Sequence, residues 1–373
     1  MSLDLLIVGG GPAGLASAIY ARMAGLSACV LERRTAPLDK ACGEGLMPHG
    51  VAALAEMRIE LAGGDYAHLA GVRFVDSSCS AETAFATGAG RGIRRTILSA
   101  ALRQRARELG VELRDGCEVT AATDDGAGVT VETKAGGPQR ARFLVAADGL
   151  HSRLRQRLGL ARRSRGAPRY GVRRHFALPP WTSFVEVHWG DAAEAYVTPV
   201  GPNEVGVAFL WSGGKCCFDE LMPRFPRLAE RLAGVPASSE PRGGGPFAQP
   251  VARRYAGRIA LVGDAAGYLD PLSGEGVTLG FKSARALVDV IAKGRPLDDY
   301  EAAYRALSRP YYVMTRMLLW LATRPRLRAR VIRGLAARPP AFSRLLAITS
   351  GEAPLAELAP AALPLAWPVL SGT

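Results

Sequence analysis

No stretch of about eighteen uninterrupted apolar residues occurs in the chain, so no membrane-spanning helix is expected. The N-terminus lacks a basic lead, an apolar core and a small-residue cleavage site. It enters a strand pattern at once, so no secretory leader is visible and a cytoplasmic location is expected. The cysteines Cys29, Cys42, Cys79, Cys117, Cys216 and Cys217 are scattered, without a Cys-x-x-Cys pair or Cys/His metal spacing. Reduced thiols and no metal centre are the expectation. Lysine is scarce, five of 47 basic residues, so arginine carries the net charge of +13. Such an excess attracts phosphates and acidic lipids. Because no basic array interleaved with aromatics and no nucleic-acid motif accompanies it, nucleic acid is not an expected partner. Internal repeats are absent too. What remains is a chain of 373 residues, 48% hydrophobic and 22% charged, globular in composition and long enough for two domains.

The chain's clearest feature is its opening, LDLLIVGGGPAGLASAIYARMAGLSACVLE from Leu3 to Glu32. An apolar run (Leu5 to Val8) ends in Gly9-Gly10-Gly11-Pro12-Ala13-Gly14, an amphipathic run follows to Ala24, and a second strand pattern (Ala28 to Leu31) closes on Glu32. Strand, glycine turn, helix, strand and acid at this spacing form a dinucleotide-binding unit. Gly9 makes the tight turn, Gly11 lets a pyrophosphate approach the backbone, and Gly14 lets the helix pack close to the strand. The helix aims unpaired N–H groups and its positive end at the phosphates. Glu32 is suited to accept hydrogen bonds from a ribose.

Downstream, Ala41-Cys42-Gly43-Glu44-Gly45 is a small-residue loop whose glycines permit close approach to something flat. Cys42 fits either an inert buried thiol or a wall of the nucleotide site. Helices are expected from His49 to Met57 and from Arg94 onward. Arg94 or Arg95, placed against a helix dipole, would be explained by an anionic neighbour or simply as surface charge. Strands are expected at Val72 to Asp76, Ala81 to Thr87, Val111 to Leu113, Glu118 to Thr123, Val129 to Thr133 and Arg142 to Ala147. The last runs into Asp148-Gly149-Leu150-His151-Ser152-Arg153-Leu154-Arg155, a second nucleotide-contacting turn with Ser152 as the N-cap.

From Arg169 to Trp211 the period changes to two, as in a separate, largely antiparallel sheet with a hairpin turn at Gly201-Pro202-Asn203. His175, His188, Trp189, Tyr196 and Trp211 are its polar and aromatic candidates for a substrate pocket. A helix is expected from Phe218 to Leu232 and a linker from Arg242 to Pro246. The strand Arg258 to Val262 then delivers Gly263-Asp264, and a loop with Pro271, Gly274 and Gly276 opens a long helix to Ile291. Beyond Asp298 the pattern is helical, with breaks at Pro310, Pro325 and Pro339-Pro340, and ends in a Pro/Ala/Leu tail from Pro354. Its greasy stretch Tyr311 to Leu321, followed by Arg324, Arg326, Arg328, Arg330 and Arg333, suits packing on the main domain, a lid for a lipophilic substrate, or a membrane-surface contact.

Gly9-x-Gly11-x-x-Gly14 with Glu32, Asp148-Gly149-x-x-Ser152-x-x-Arg155 and the Gly263-Asp264 loop together resemble the flavoprotein monooxygenases of the para-hydroxybenzoate hydroxylase fold, over about Leu3 to Ile291. The resemblance implies an α/β chain: a Rossmann-type FAD-binding domain of the GR2-like flavoprotein kind, an inserted mostly antiparallel β-sheet substrate domain and a C-terminal helical segment. Residues 1–72, 92–165 and 250–295 would form the first, 73–91 and 166–249 the second, and 296–373 the third. It implies FAD, and NAD(P)H as electron donor without a second Rossmann domain. The cofactor would lie along Gly9, Gly11, Pro12, Ala13, Gly14, Glu32, Arg33, Cys42, Gly43, Arg95, Asp148, Gly149, Gly263, Asp264, Pro271, Gly274, Gly276 and Val277. Within that set Asp264 would take the ribityl hydroxyls, and the N–H groups near Gly276 and Val277 the pyrimidine side of the flavin.

Two departures bear on the reaction. Aromatic hydroxylases of this group commonly carry His where Gly267 stands. The Cys42-Gly43-x-Gly45 loop and Pro271-Leu272-Ser273-Gly274-Glu275-Gly276 look like geranylgeranyl reductases, which share the fold and use reduced FAD to saturate isoprenoid double bonds. The Trp-x-Trp-x-x-Pro signature of flavin halogenases is absent. The expected activity is an NAD(P)H-using monooxygenase hydroxylating an aromatic or polyketide-like small molecule. The alternative is reduction of a prenyl or similar alkene, with Cys42 beside the flavin as the candidate catalytic residue. No other acid, base or nucleophile is singled out, and the partner is an aromatic or lipophilic small molecule.

Overall fold

The computed structural model describes residues 3–134 and 136–363. The end of the expected Pro/Ala/Leu tail, from residue 364, lies outside the described residues. The chain opens with β1 (Leu3–Val8), α1 (Pro12–Met23), β2 (Ala28–Glu32), β3 (Gly45–Leu46) and α2 (Pro48–Glu56). Next come β4 (Tyr66–Leu69), β5 (Gly71–Val75), β6 (Ser80–Ala84), β7 (Gly90–Ile93), α3 (Arg95–Glu108) and β8 (Glu112–Asp115). Then follow β9 (Val119–Asp124), β10 (Val129–Thr133), β11 (Gln139–Ala146), α4 (Arg153–Arg157), β12 (Arg169–Phe176), β13 (Phe184–Trp189), β14 (Ala193–Gly201) and β15 (Glu204–Ser212). The remainder holds α5 (Phe218–Leu221), α6 (Pro226–Leu232), β16 (Arg242–Gly244), β17 (Tyr255–Ala256), β18 (Ile259–Leu261), α7 (Gly276–Ala292), α8 (Leu297–Ala322), α9 (Pro325–Ala337) and α10 (Pro339–Ser350).

One sheet runs β17-β18-β11-β1-β2-β8, with β10 and β9 hung from β11. Its centre, β18-β11-β1-β2-β8, is parallel. Strands of such a sheet are covered on both faces, which is why Leu5, Leu6, Ile7, Leu144, Val145 and Leu261 are all at most 1% exposed. A second sheet runs β16-β12-β15-β14-β13-β5-β6. It is antiparallel except where β5 lies parallel to β13, a pairing that only a long connection can make. Its hairpin turn falls at Pro202-Asn203, between the paired Gly201 and Glu204. A third, small sheet, β3-β7-β4, has no clear apolar period to announce it.

Three expectations are corrected. The helix expected over Phe218–Leu232 is interrupted: Pro223 lies in a short 3₁₀ turn, and Pro226, which has no N–H to continue a helix, starts α6 afresh. The Arg242–Pro246 linker contributes β16, an edge strand paired with β12 through Gly243 and Gly244. Pro310 does not break its helix; α8 runs through it. The lost backbone bond is offset by burial on one face, where Tyr300, Tyr304, Ser308, Tyr311 and Met314 are buried, and by Tyr300 and Tyr311 donating hydrogen bonds to the carbonyls of Leu261 and Asp270 (2.6 and 2.9 Å). Pro325 and Pro339 do begin new helices. Helix α9 is fixed to the turn after β5 by Arg328, whose Nε donates to the buried Asp76 carboxylate at 2.8 Å. No helix among the described residues is long and apolar enough to cross a membrane.

Candidate flavin site

Three turns, far apart in sequence, meet at one end of the parallel sheet. Gly9 adopts φ +112°, and a Cβ there would sit 2.3 Å from the Ala147 carbonyl oxygen, so the first turn is seated against the end of β11. Gly14 brings α1 so near the strand that its Cβ would fall 2.0 Å from the Gly9 oxygen. The third turn touches the first where Gly263, at φ +58°, faces Ala13; a Cβ would approach that methyl to 2.7 Å. Ser152 caps α4, its Oγ accepting the Arg155 N–H at 3.0 Å, as the sequence led one to expect. The buried Arg155 guanidinium then donates to the carbonyls of Leu150 (2.8 Å), Asp264 and Ala265 (3.2 Å each) and to the Gln249 side chain (2.8 Å). It is a strut between the second and third turns. Burial depresses its pKa, but the nearby carboxylates of Asp148 and Asp264 oppose this.

The turns open onto a cavity of about 1450 Å³, larger than the roughly 300–1,000 Å³ of a site for one small molecule. Of the residues expected at the cofactor, Gly9, Gly11, Pro12, Ala13, Glu32, Arg33, Cys42, Gly43, Arg95, Asp148 and Gly149 line it. So do Gly263, Asp264, Pro271, Gly274, Gly276 and Val277. Gly14 alone of that set is not on the wall; its work is the close packing of α1. Arg94 turns away to the Glu204 carboxylate at 2.5 Å.

The polar groups on this wall fit a long dinucleotide. The Oδ1 atom of Asp148 is buried with no protein partner. The Asp264 carboxylate faces the cavity, and no hydrogen bond from a described residue engages it. Its pKa is raised by burial, an effect opposed by Arg95, Lys40 and Arg155. Glu32 already accepts N–H groups from Gly10 (2.7 Å) and Arg34 (3.0 Å), which holds its carboxylate at the rim of the glycine turn. Two carboxylate oxygens have lone pairs to spare beyond these. The helix α7 starts at the cavity with Gly276 and Val277, its first N–H groups unpaired within the helix.

Sequence reasoning missed three groups here. Lys40 lines the cavity beside Gly149, its pKa lowered by burial and by Arg95; its only signal was being a rare lysine in an arginine-rich chain. Glu44 stands at φ +59° in the Cys42 loop, accepts the Arg95 backbone N–H at 2.7 Å and pairs with His175. Arg173, buried, donates to Asp39 at 2.6 Å and lies 3.7 Å from Glu44. The loop before α7 is fastened likewise. Arg169 donates to Asp270 (2.8 Å) and to Glu194 (2.7 Å), both buried, while Asp270 also accepts the Leu272 N–H at 3.1 Å. Burial works against the Arg169 charge, yet Glu194 and Asp270 outweigh it and hold its pKa above the ordinary value.

The far half of the cavity is apolar. The second sheet supplies Val72, Phe74, Val185, Val187, Ala208 and Leu210, and the helical cap supplies Met314, Leu318, Leu321, Val331, Leu335 and Phe342. Of the sheet's five polar and aromatic candidates only Tyr196 is on this wall, its hydroxyl donating to the Leu272 carbonyl. His175 lies behind Glu44, His188 pairs with Glu186 at 3.0 Å, and Trp211 donates to the Gly214 carbonyl at 2.9 Å. Trp189 packs edge-on against Phe74.

Known proteins resemble this chain in sequence and in fold. The menaquinone reductase of Mycolicibacterium smegmatis is 28% identical over 349 residues, covering 87% of this chain and 85% of that one. The 12-dehydrotetracycline 5-monooxygenase/anhydrotetracycline 6-monooxygenase of Streptomyces rimosus is 30% identical over 361 residues, covering 83% of this chain and 67% of that one. In fold, a flavoprotein/dehydrogenase from Cytophaga hutchinsonii superposes with a TM-score of 0.81 at 20% identity, over 94% of this chain and 93% of that one. The family described as the FAD binding domain matches residues 2–202, the stretch that holds the first two turns and the Cys42 loop. With a cradle of three glycine turns, carboxylate oxygens with lone pairs to spare along it and that match over more than half its length, the chain belongs to the FAD-binding-domain family and is a FAD-dependent oxidoreductase.

Proposed function

We propose that the protein is an NAD(P)H-using monooxygenase that hydroxylates an aromatic or polyketide-like lipophilic small molecule. The observation that carries this reading is the continuity of the cofactor cradle with an apolar half-cavity lined by Val72, Phe74, Val185, Leu210, Met314, Leu335 and Phe342. FAD, when bound, supplies the electron transfer and the reaction with O2. The chain's residues bind and orient. The Gly9 to Gly14 turn and the start of α1 would take the pyrophosphate, Glu32 a ribose, Asp264 the ribityl hydroxyls, and the N–H groups of Gly276 and Val277 the pyrimidine edge. The apolar walls would hold the substrate and keep water out. In this reading residues 1–72, 92–165 and 250–295 serve the cofactor, 73–91 and 166–249 the substrate, and the described part of 296–373 closes the cavity. The 30% identity to the tetracycline monooxygenase supports it.

A second reading, reduction of a lipophilic alkene, is favoured by one feature: Cys42 lines the cavity with its thiol beside the Arg95 guanidinium (4.0 Å). The likeness to menaquinone reductase over most of both chains supports it. The two separate in one experiment. The FAD-loaded protein is reduced anaerobically by NADH or NADPH and mixed with isotopically labelled O2 or with an alkene. Labelled, oxygenated product supports hydroxylation; reoxidation by the alkene without O2 overturns it.

A further inference from the structure

We propose that the helical cap docks on an anionic lipid surface, with Trp320 and Met317 entering the interface and the surrounding arginines meeting the headgroups. It draws on the proposed function only in taking the substrate to be lipophilic.

The charge pattern is the first argument. Residues 302–351 contain ten arginines and no aspartate, glutamate or lysine. Three of those arginines have carboxylate partners: Arg305 with Glu301, Arg328 with Asp76 and Arg344 with Glu357. The other seven, Arg309, Arg316, Arg324, Arg326, Arg330, Arg333 and Arg338, are exposed and form no ion pair among the described residues. Arg326, Arg330 and Arg333 recur at four- and three-residue steps, which puts them on one face of α9. Seven uncompensated positive charges within fifty residues repel one another unless an anionic partner faces them.

Apolar exposure is the second, independent argument, and it falls in the same place. Trp320 is 52% and Met317 42% exposed, near the end of α8. Both line the cavity, as do Met314, Leu318 and Leu321 of the same helix. The apolar cavity wall therefore continues out onto the surface at this point. The Arg324 guanidinium stacks 4.1 Å from the Trp320 ring centre, so cation and indole present themselves together. A nucleic acid would satisfy the arginines but leave Met317 and Trp320 facing phosphates and water. A bilayer satisfies both, because tryptophan and methionine sink among acyl chains while arginines remain at the headgroups. A substrate dissolved in the membrane would then pass along this wall into the cavity without crossing water.

Flotation of the FAD-loaded full chain with vesicles tests this, comparing phosphatidylcholine alone with a mixture containing phosphatidylglycerol. Binding is expected to the mixed vesicles only, and to be lost as salt rises from about 0.1 M to about 1 M, where charges are screened within about 3 Å. The triple change Arg326→Glu, Arg330→Glu and Arg333→Glu is expected to weaken binding about 100-fold or more, since each headgroup-facing cation contributes about a factor of five. Trp320→Ala is expected to weaken it about tenfold; brominated lipid is expected to quench the parent's fluorescence, and Trp320→Phe to remove that quenching. Flavin content and circular dichroism report whether each variant is folded. Equal binding to neutral vesicles, no binding, or displacement by duplex DNA with Trp320→Ala behaving as the parent overturns the proposal. Turnover of a detergent-dispersed aromatic substrate by the parent protein, set beside its vesicle binding, separates the two claims. Turnover without vesicle binding defeats only the docking surface, and vesicle binding without any turnover defeats only the proposed reaction.

Discussion

Glu44, on the cavity wall, meets His175 behind it with neither side chain more than 1% exposed, joining the loop that carries Cys42 to a strand 131 positions along the chain. The same carboxylate accepts the Arg95 N–H and has Arg173 at 3.7 Å and Arg94 at 3.9 Å, each of which also has a nearer carboxylate, Asp39 and Glu204. Truncating Glu44 leaves the buried His175 ring nitrogen and the Arg95 N–H without their partner, at a cost of about 1–3 kcal/mol for each unsatisfied group. Glu44→Ala is therefore expected to lower the urea midpoint strongly and to release flavin, and Glu44→Gln to do so less, since it keeps hydrogen-bonding capacity. Equal stability of Glu44→Ala and the parent would remove the cluster from any structural role.

Glu275 sits between two cavity-lining glycines but is itself buried, and burial raises its pKa to about 7 against an opposing pull from Lys282. Between the unfolded value, about 4.5, and about 7, the folded state holds a proton that the unfolded state has released. Unfolding free energy from this group therefore falls as pH rises through that window. Glu275→Gln should abolish this slope and exceed the parent's stability above about pH 7 by on the order of 3 kcal/mol. Denaturation of both proteins at about pH 5 and about pH 8 measures it, and a parallel pH dependence in the two would exclude the effect.

The small third sheet gives a steric prediction. A Cβ at Gly92 would stand 1.6 Å from the backbone oxygen of Pro199, whereas one at Gly63 meets nothing within 4 Å. Because β7 and β14 must separate to admit the methyl, Gly92→Ala is expected to cost about 3 kcal/mol or more. Gly63→Ala is expected to stay within about 0.5 kcal/mol. Thermal melts of the pair decide, and similar midpoints would count against the close approach.

Asp264 and Cys42 separate cofactor binding from chemistry. Asp264→Ala should weaken FAD binding at least about tenfold, by removing a charge-assisted acceptor worth about 1.5–3 kcal/mol. Isothermal titration of the stripped protein with FAD reads this directly, and full flavin retention through purification would contradict it. Cys42→Ala should keep FAD and, under the hydroxylase reading, most of the turnover. Loss of turnover with flavin intact would shift the balance to alkene reduction.

What was legible in the sequence was local. Gly9, Gly11 and Gly14 declare the first turn because a strand, a helix and Glu32 follow at fixed steps, and Ser152 announces a cap because its partner is three residues away. The loop before α7 is readable for the same reason. The third sheet is not, since β3 has two residues and β7 is half glycine, too little for a period to emerge. Nor do Arg169, Arg173 and Glu44 show any pattern, because their partners come from distant strands and an ion pair across such a separation leaves no trace in spacing. Pro310 misleads in the opposite direction. Its local signal is a break, and the buried tyrosines on either side of it override that signal.

Arg169 fastens the second sheet to the loop ahead of α7, and Arg328 fastens the cap to the far turn of that same sheet. With two opposite sides of the chamber bolted to one panel, the outline that a guest meets is set before it arrives. Under the proposed function, selection would work as a sieve does, by refusing what is the wrong shape, and broadening the range of molecules accepted would call for cutting a bolt before enlarging the room.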